Sequence, residues 1–175
     1  DRDDGAAAAL FERGCEGGSL RGCTLLGDAY QLGRGVARDD ARAITFYARA
    51  CEADLMGSCF NLGVMLEMGS ASVRDIPRAV TAYASACDGG TLEACSNLGS
   101  MYLRGLAGLP RDGERAIPLL TRGCDGGIGR ACLNLGAAYW NGVGVARDRV
   151  LAARYFHIGC DLGDPRSCDA ARSAR

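Results

Sequence analysis

The chain contains no lysine, only one histidine and no Cys-x-x-Cys string, and each absence narrows what the protein does. Its positive charge comes from arginine alone, 20 residues against 21 aspartates and glutamates, for a net charge of −1. Both signs are spread evenly, so no basic stripe exists of the kind that nucleic acid or an anionic membrane surface needs. With His157 as the sole imidazole, a two-cysteine cluster lacks the further ligands that zinc requires, and neither metal nor cofactor is expected. The longest apolar run, around Gly5 to Phe11, falls far short of the ~20 residues of a transmembrane helix. No signal-peptide pattern is visible, yet the chain opens at Asp1 rather than Met, as a processed or trimmed product would. Richness in Ala, Gly and Arg without lysine is the composition of a high-GC bacterial gene.

Ten cysteines are present, a heavy load for 175 residues, and their spacing is regular. They fall as Cys15 and Cys23, Cys51 and Cys59, Cys87 and Cys95, Cys124 and Cys132, Cys160 and Cys168. Members of a pair stand eight positions apart, and pairs recur at steps of 36, 36, 37 and 36. Self-similarity at this period marks a helical repeat array. Counting from the second cysteine, offsets 3, 4 and 7 hold Leu26, Gly27 and Tyr30, then Leu62, Gly63 and Leu66. The same offsets next hold Leu98, Gly99 and Tyr102, then Leu135, Gly136 and Tyr139. That is one stripe of a helix, with glycine where a neighbouring helix must come close.

A loop follows each such helix and ends at Asp39, Asp75, Asp112 or Asp148, placed to cap a second helix. Four residues beyond each cap stands alanine, at 43, 79, 116 and 152, followed by bulky groups such as Tyr47, Tyr83, Leu120 and Phe156. This second helix runs into the next first cysteine and stops at turns bearing Gly17-Gly18, Gly89-Gly90, Gly126-Gly127 or Gly163. The unit is therefore an antiparallel pair, helix A and helix B. The pattern predicts one all-α domain over 1–175. It comprises a half repeat at 4–20, repeats at 21–56, 57–92, 93–129 and 130–165, and a partial, polar last helix at 166–175. Pro118, six residues past its cap, predicts that the third helix B is bent or starts late; Pro77, near its helix start, should be harmless.

Cysteines eight apart in one helix would lie ~12 Å apart, beyond the ~7 Å between Cα atoms that a disulfide allows. Here a turn separates them, so the end of helix B and the start of the next helix A approach each other. The spacing thus predicts local bridges Cys15–Cys23, Cys51–Cys59, Cys87–Cys95, Cys124–Cys132 and Cys160–Cys168, in preference to zinc ligation or buried thiols. In the chain-entropy description each such nine-residue loop stabilises by ~2.5 kcal/mol. Persistent disulfides point to an oxidising compartment, the periplasm or the exterior.

The recurring Cys-x-Asn-Leu-Gly, the loops Gly33-Arg34-Gly35-Val36 and Gly142-Val143-Gly144-Val145, and the Ala-Cys or Gly-Cys endings resemble Sel1-like repeats. The cysteine pair in each repeat is similar to the cysteine-rich Sel1-like proteins of Helicobacter. The resemblance implies a right-handed α/α solenoid related to tetratricopeptide proteins, usually a non-enzymatic adaptor. For the cysteine-rich subgroup it also implies weak penicillin binding or hydrolysis. Two loops depart from the pattern and are expected to differ in shape. Gly69-Ser70-Ala71-Ser72-Val73 lacks the second glycine, and Gly105-Leu106-Ala107-Gly108-Leu109-Pro110 has one extra residue.

Nothing in the pattern assembles a catalytic set. With every cysteine paired no thiolate nucleophile remains, and His157 has neither serine nor acid tied to it by spacing. Helix A carries a second stripe that the Cys-Leu-Gly-Tyr face does not use: Phe60 and Asn61, then Ser96 and Asn97, then Leu133, Asn134 and Trp140. An asparagine at one offset in three repeats either grips the backbone of an extended peptide or bonds the neighbouring helix. Trp140, the only tryptophan, either anchors a partner or covers the end of the stack; as an anchor, its truncation should change stability little. The leading expectation is a periplasmic, secreted or cell-surface scaffold that binds a protein or peptide segment on its concave face through Phe60, Asn61, Asn97, Leu133, Asn134 and Trp140. A binder or slow hydrolase of β-lactam or cell-wall peptide ligands is the alternative, and a structural subunit of an oligomeric surface assembly the third.

Overall fold

The computed structural model describes residues 2–106 and 108–174; Asp1, Ala107 and Arg175, the last two in the third loop and the last helix as expected from the sequence, lie outside the described residues. Those described form ten α-helices and a single isolated bridge, Leu106 to Leu109. They divide into two compact units, Asp1–Gly89 and Gly90–Arg175. The first holds α1 (Arg2–Glu16), α2 (Leu20–Leu32), α3 (Asp40–Glu52), α4 (Met56–Met68) and α5 (Ile76–Asp88). The second holds α6 (Leu92–Arg104), α7 (Gly113–Asp125), α8 (Gly129–Asn141), α9 (Arg149–Asp161) and α10 (Pro165–Ser173). Even-numbered helices are of type A and odd-numbered ones of type B.

Each A–B pair closes over one contact. A Cβ built on Gly27 would stand 2.7 Å from the Tyr47 ring, on Gly63 2.6 Å from Tyr83, on Gly99 2.7 Å from Leu120 and on Gly136 2.6 Å from Phe156. No larger residue fits under these side chains. The aspartate caps set the register: Asp39, Asp75, Asp112 and Asp148 accept from the amides of Arg42, Arg78, Arg115 and Leu151. The packed residue therefore always arrives eight positions after its cap. Above this layer aromatic pairs stack, Tyr30 on Phe46 at 5.7 Å and Tyr139 on Tyr155 at 5.6 Å between centroids.

The bridges Cys15–Cys23, Cys51–Cys59, Cys124–Cys132 and Cys160–Cys168 join each helix B to the following A, with Cα atoms 4.5 to 4.7 Å apart. Cys87 and Cys95 are disulfide-bonded as well, and no described cysteine is free. Between the two cysteines the chain turns on a left-handed residue: Gly18, Gly90, Gly127 and Gly163 have φ of +86° to +97°. In the second pair the residue is Asp54, at φ +61° and alone among the described non-glycine residues in being left-handed.

The loops differ where the sequence departs from the pattern. Gly35 and Gly144 are left-handed and lie against the first turn of the preceding helix B, where a Cβ would stand 2.1 Å from Asp4 O and from Gly113 C. The second loop lacks that glycine, and its helix A ends at an extended Gly69. The third passes through Gly105 into the Leu106–Leu109 bridge. One half of an expectation is overturned: α7 does not start late, running from Gly113 to Asp125 directly after its cap with Pro118 inside it. Pro118 and Glu114, whose carbonyl lacks the amide donor that any other residue at 118 would bring, are both exposed.

Gly136→Ala should lower stability by about 2 kcal/mol, because the added methyl must displace the Phe156 ring. Gly57→Ala, with nothing within 4 Å of the added carbon, should raise it by about 0.5 kcal/mol. Urea denaturation of the two variants measures the contrast. Under limiting reductant, Cys160–Cys168 should open first, since both its residues are half-buried, and sealed Cys15–Cys23 should outlast it. Alkylation and peptide mapping at successive times read the order.

Candidate interaction surface

Phe60 and Asn61 sit side by side on α4 in the first unit. Phe60 is half-buried with its ring 6.0 Å from that of Tyr83, and Asn61 is half-buried beside it. The Tyr83 hydroxyl donates to Glu67 at 3.0 Å, and the equivalent Tyr47 hydroxyl lies 2.7 Å from both Asp28 and Gln31. Burial, then the bond to Asp28 and its negative charge, raise the Tyr47 phenol well above its ordinary pKa. Carboxylates on the A helices of this unit are thus held by phenols from the B helices beneath.

In the second unit the two asparagines are used internally. Arg130 donates to the Asn97 side-chain oxygen, and Asn134 Nδ2 donates to Ser100 Oγ at 3.2 Å, so both link α6 to α8. Thr24 and Ser58, 2.6 Å apart, make the corresponding link between α2 and α4. Ser96, expected on the open stripe, is fully buried, and its hydroxyl has no partner. It faces the close approach of Gly123, which helical spacing alone does not reveal.

Leu133 and Trp140 come together on one cluster formed by Ala152, Phe156 and Ala171. The Trp140 ring stands 6.4 Å from Phe156, with the Arg149 guanidinium 4.9 Å from its centroid. Trp140 also walls an apolar cavity of about 240 Å3 with Ala137, Asn141, Phe156, Ala170, Ser173 and Ala174. Trp140 therefore does not stand apart from the packing: the indole packs on this cluster and also lines the cavity. His157 is exposed on α9. Sequence reasoning missed the cavity because Ala170 and Ala174 of α10 carry no recognisable binding signal; their lack of bulk beside Trp140 creates it.

Helix pairs of one length, joined end to end by local disulfides, define a helical-repeat protein of the α/α solenoid class. The Sel1 repeat profile matches residues 1–19, 20–55, 57–90, 92–128 and 129–164, and the chain belongs to the Sel1 repeat family. Among solved structures it is similar to a Sel1 repeat protein from Oxalobacter formigenes, with TM-score 0.81 and 22% identity over 95% of this chain and 66% of that one. A protective antigen of uropathogenic Escherichia coli with the same repeat fold gives 0.66 and 22%, over 95% of this chain and 43% of that one. Helicobacter pylori cysteine rich protein B gives 0.59 and 26%, over 76% and 95%. The chain thus spans less than two thirds of the length of the first two. Comparison with curated proteins finds no match. Sel1 repeats generally form non-catalytic scaffolds that bind proteins, and this chain has that fold. No described helix is long and apolar enough to cross a membrane.

Trp140→Ala should lower stability by about 2 kcal/mol, since it strips the cover from Phe156 and Ala171. Trp140→Phe should recover more than half of that loss. Both are read from urea midpoints at constant slope.

Proposed function

We propose that the protein is a scaffold outside the cytoplasm that binds an extended segment of a partner protein on the exposed faces of its A helices. The observation that carries this reading is the cavity beside Trp140, where an indole face and the Asn141 amide meet in an opening large enough for one side chain. Apolar anchorage beside a few oriented polar groups is what recognition of an extended segment requires. Phe60 and Asn61 offer the same combination on the first unit, each still half-exposed. Asn97 and Asn134 belong to this surface as its bonded framework, with Arg130 and Ser100 holding them in place. Location outside the cytoplasm rests on the disulfides, which reducing compartments do not maintain.

A photo-crosslinking residue placed at Asn61 and, separately, at Asn141 tests the surface in the native cell envelope. Both sites should trap the same partner, and a probe at exposed Thr45 on helix B should not. Capture from Thr45 with none from the two A-helix sites would overturn the assignment.

A further inference from the structure

The second repeat breaks the pattern at three positions, and all three line one cavity. In the first repeat Tyr30 stacks on Phe46, and Arg42 lies 5.3 Å over the Tyr30 ring while donating to its hydroxyl at 2.8 Å. In the third, Arg115 lies 5.8 Å over Tyr102. The equivalent places in the second repeat hold Leu66 for the tyrosine and Ala82 for the stacking partner. Arg78 stands where Arg42 and Arg115 stand, without a ring or phenol beneath it. Ion pairs among the described residues form elsewhere, at Arg38–Asp40, Arg42–Asp39, Arg115–Asp112 and Arg172–Asp169. Leu66, Ala82 and Arg78 all line an open cavity of about 420 Å3, whose wall is completed by residues of α3 and α5 and by Leu62 of α4.

The third departure is Asp54. Four turns of this kind use a left-handed glycine, whereas this one holds an aspartate at φ +61°, and its residue lines the same cavity beside Glu52. A non-glycine residue in that conformation costs roughly 1 kcal/mol, and such strain gathers at functional sites. The cavity therefore has a guanidinium on one part of its wall, two carboxylates on another, and an apolar base. Along α5 from Arg78 to Ser85 it extends about 10 Å at 1.5 Å per residue.

We infer that this cavity is a binding site for a tyrosine side chain carried by a peptide with a positive charge next to it. The ligand ring takes the place of the absent scaffold ring over Leu66 and Ala82. Its hydroxyl meets Arg78 as the Tyr30 hydroxyl meets Arg42, and the neighbouring cation faces Glu52 and Asp54. The site is separate from the A-helix surface that carries Phe60, Asn61 and Trp140, and it stands whether or not that surface binds a partner.

The probe is the capped tetrapeptide acetyl-Ala-Tyr-Arg-Ala-amide, titrated calorimetrically into the full chain with its disulfides intact. Saturable binding is expected, weakened at least tenfold when the peptide tyrosine is replaced by leucine or its arginine by glutamate. Leu66→Tyr, which restores the scaffold's own ring, should abolish binding while leaving helicity unchanged. Asp54→Gly should weaken binding at least tenfold and raise the melting temperature, a combination that a merely structural aspartate would not give. Absence of binding to the unaltered protein at millimolar peptide overturns the inference. Equal affinity for the tyrosine and leucine peptides, or affinity retained in both protein variants, overturns it as well.

Discussion

Every repeat depends on the contact between a glycine of helix A and the bulky residue eight positions past the cap of helix B. With a methyl at Gly27, Gly63, Gly99 or Gly136, the two helices could not approach to the distance at which Tyr47, Tyr83, Leu120 and Phe156 are sealed. Tight packing here does two things. It gives each short helix the tertiary support that thirteen residues lack on their own. It also places the end of helix B where a nine-residue loop can bring it back to the next helix A, within reach of a disulfide. The cap, the glycine and the cysteine pair are one geometric device, and altering any of them misplaces the other two.

That device was legible in the sequence because its parts recur. A single Cys, Gly or Asp has many readings, but the same types at the same offsets four times over leave few. Less was legible where a residue's neighbours lie outside its own helix. Ser96 has the helical spacing of an open stripe, yet the small Gly123 lets the adjacent helix close over it. Pro118 has the sequence of a helix breaker, but it and Glu114, whose carbonyl it leaves without a donor, lie on the exposed side, so α7 keeps its start. Asp54 has no signal in its own identity; it becomes visible only against the glycines at the same position in the other four turns.

The candidate surface was legible in part. Helical spacing places Asn97 and Asn134 on the stripe that leaves the hairpin core, and that stripe serves two purposes. One edge meets the next A helix, as Arg130–Asn97 and Asn134–Ser100 do, and the rest meets solvent. The offset from a cysteine cannot separate the two, because both lie within one turn. Trp140 shows the same division within one side chain, which packs on the Phe156 cluster and also walls a cavity.

Recurrence also separates features of the scaffold from features of a site. All five B helices end in an acidic residue, Glu16, Glu52, Asp88, Asp125 and Asp161, although a carboxylate at a helix C-terminus opposes the helix dipole. An unfavourable placement made five times follows the repeat and identifies no particular locus. Leu66, Ala82 and Asp54 differ in kind: each is found once at its place in the repeat, and all three line the same cavity. Losing both rings of the pair and holding an aspartate left-handed both lower stability, and other repeats of the same chain keep a ring or a glycine at these places. Independent drift would scatter such losses along the chain. Their convergence on one cavity is what a site maintained against the stability of its scaffold produces.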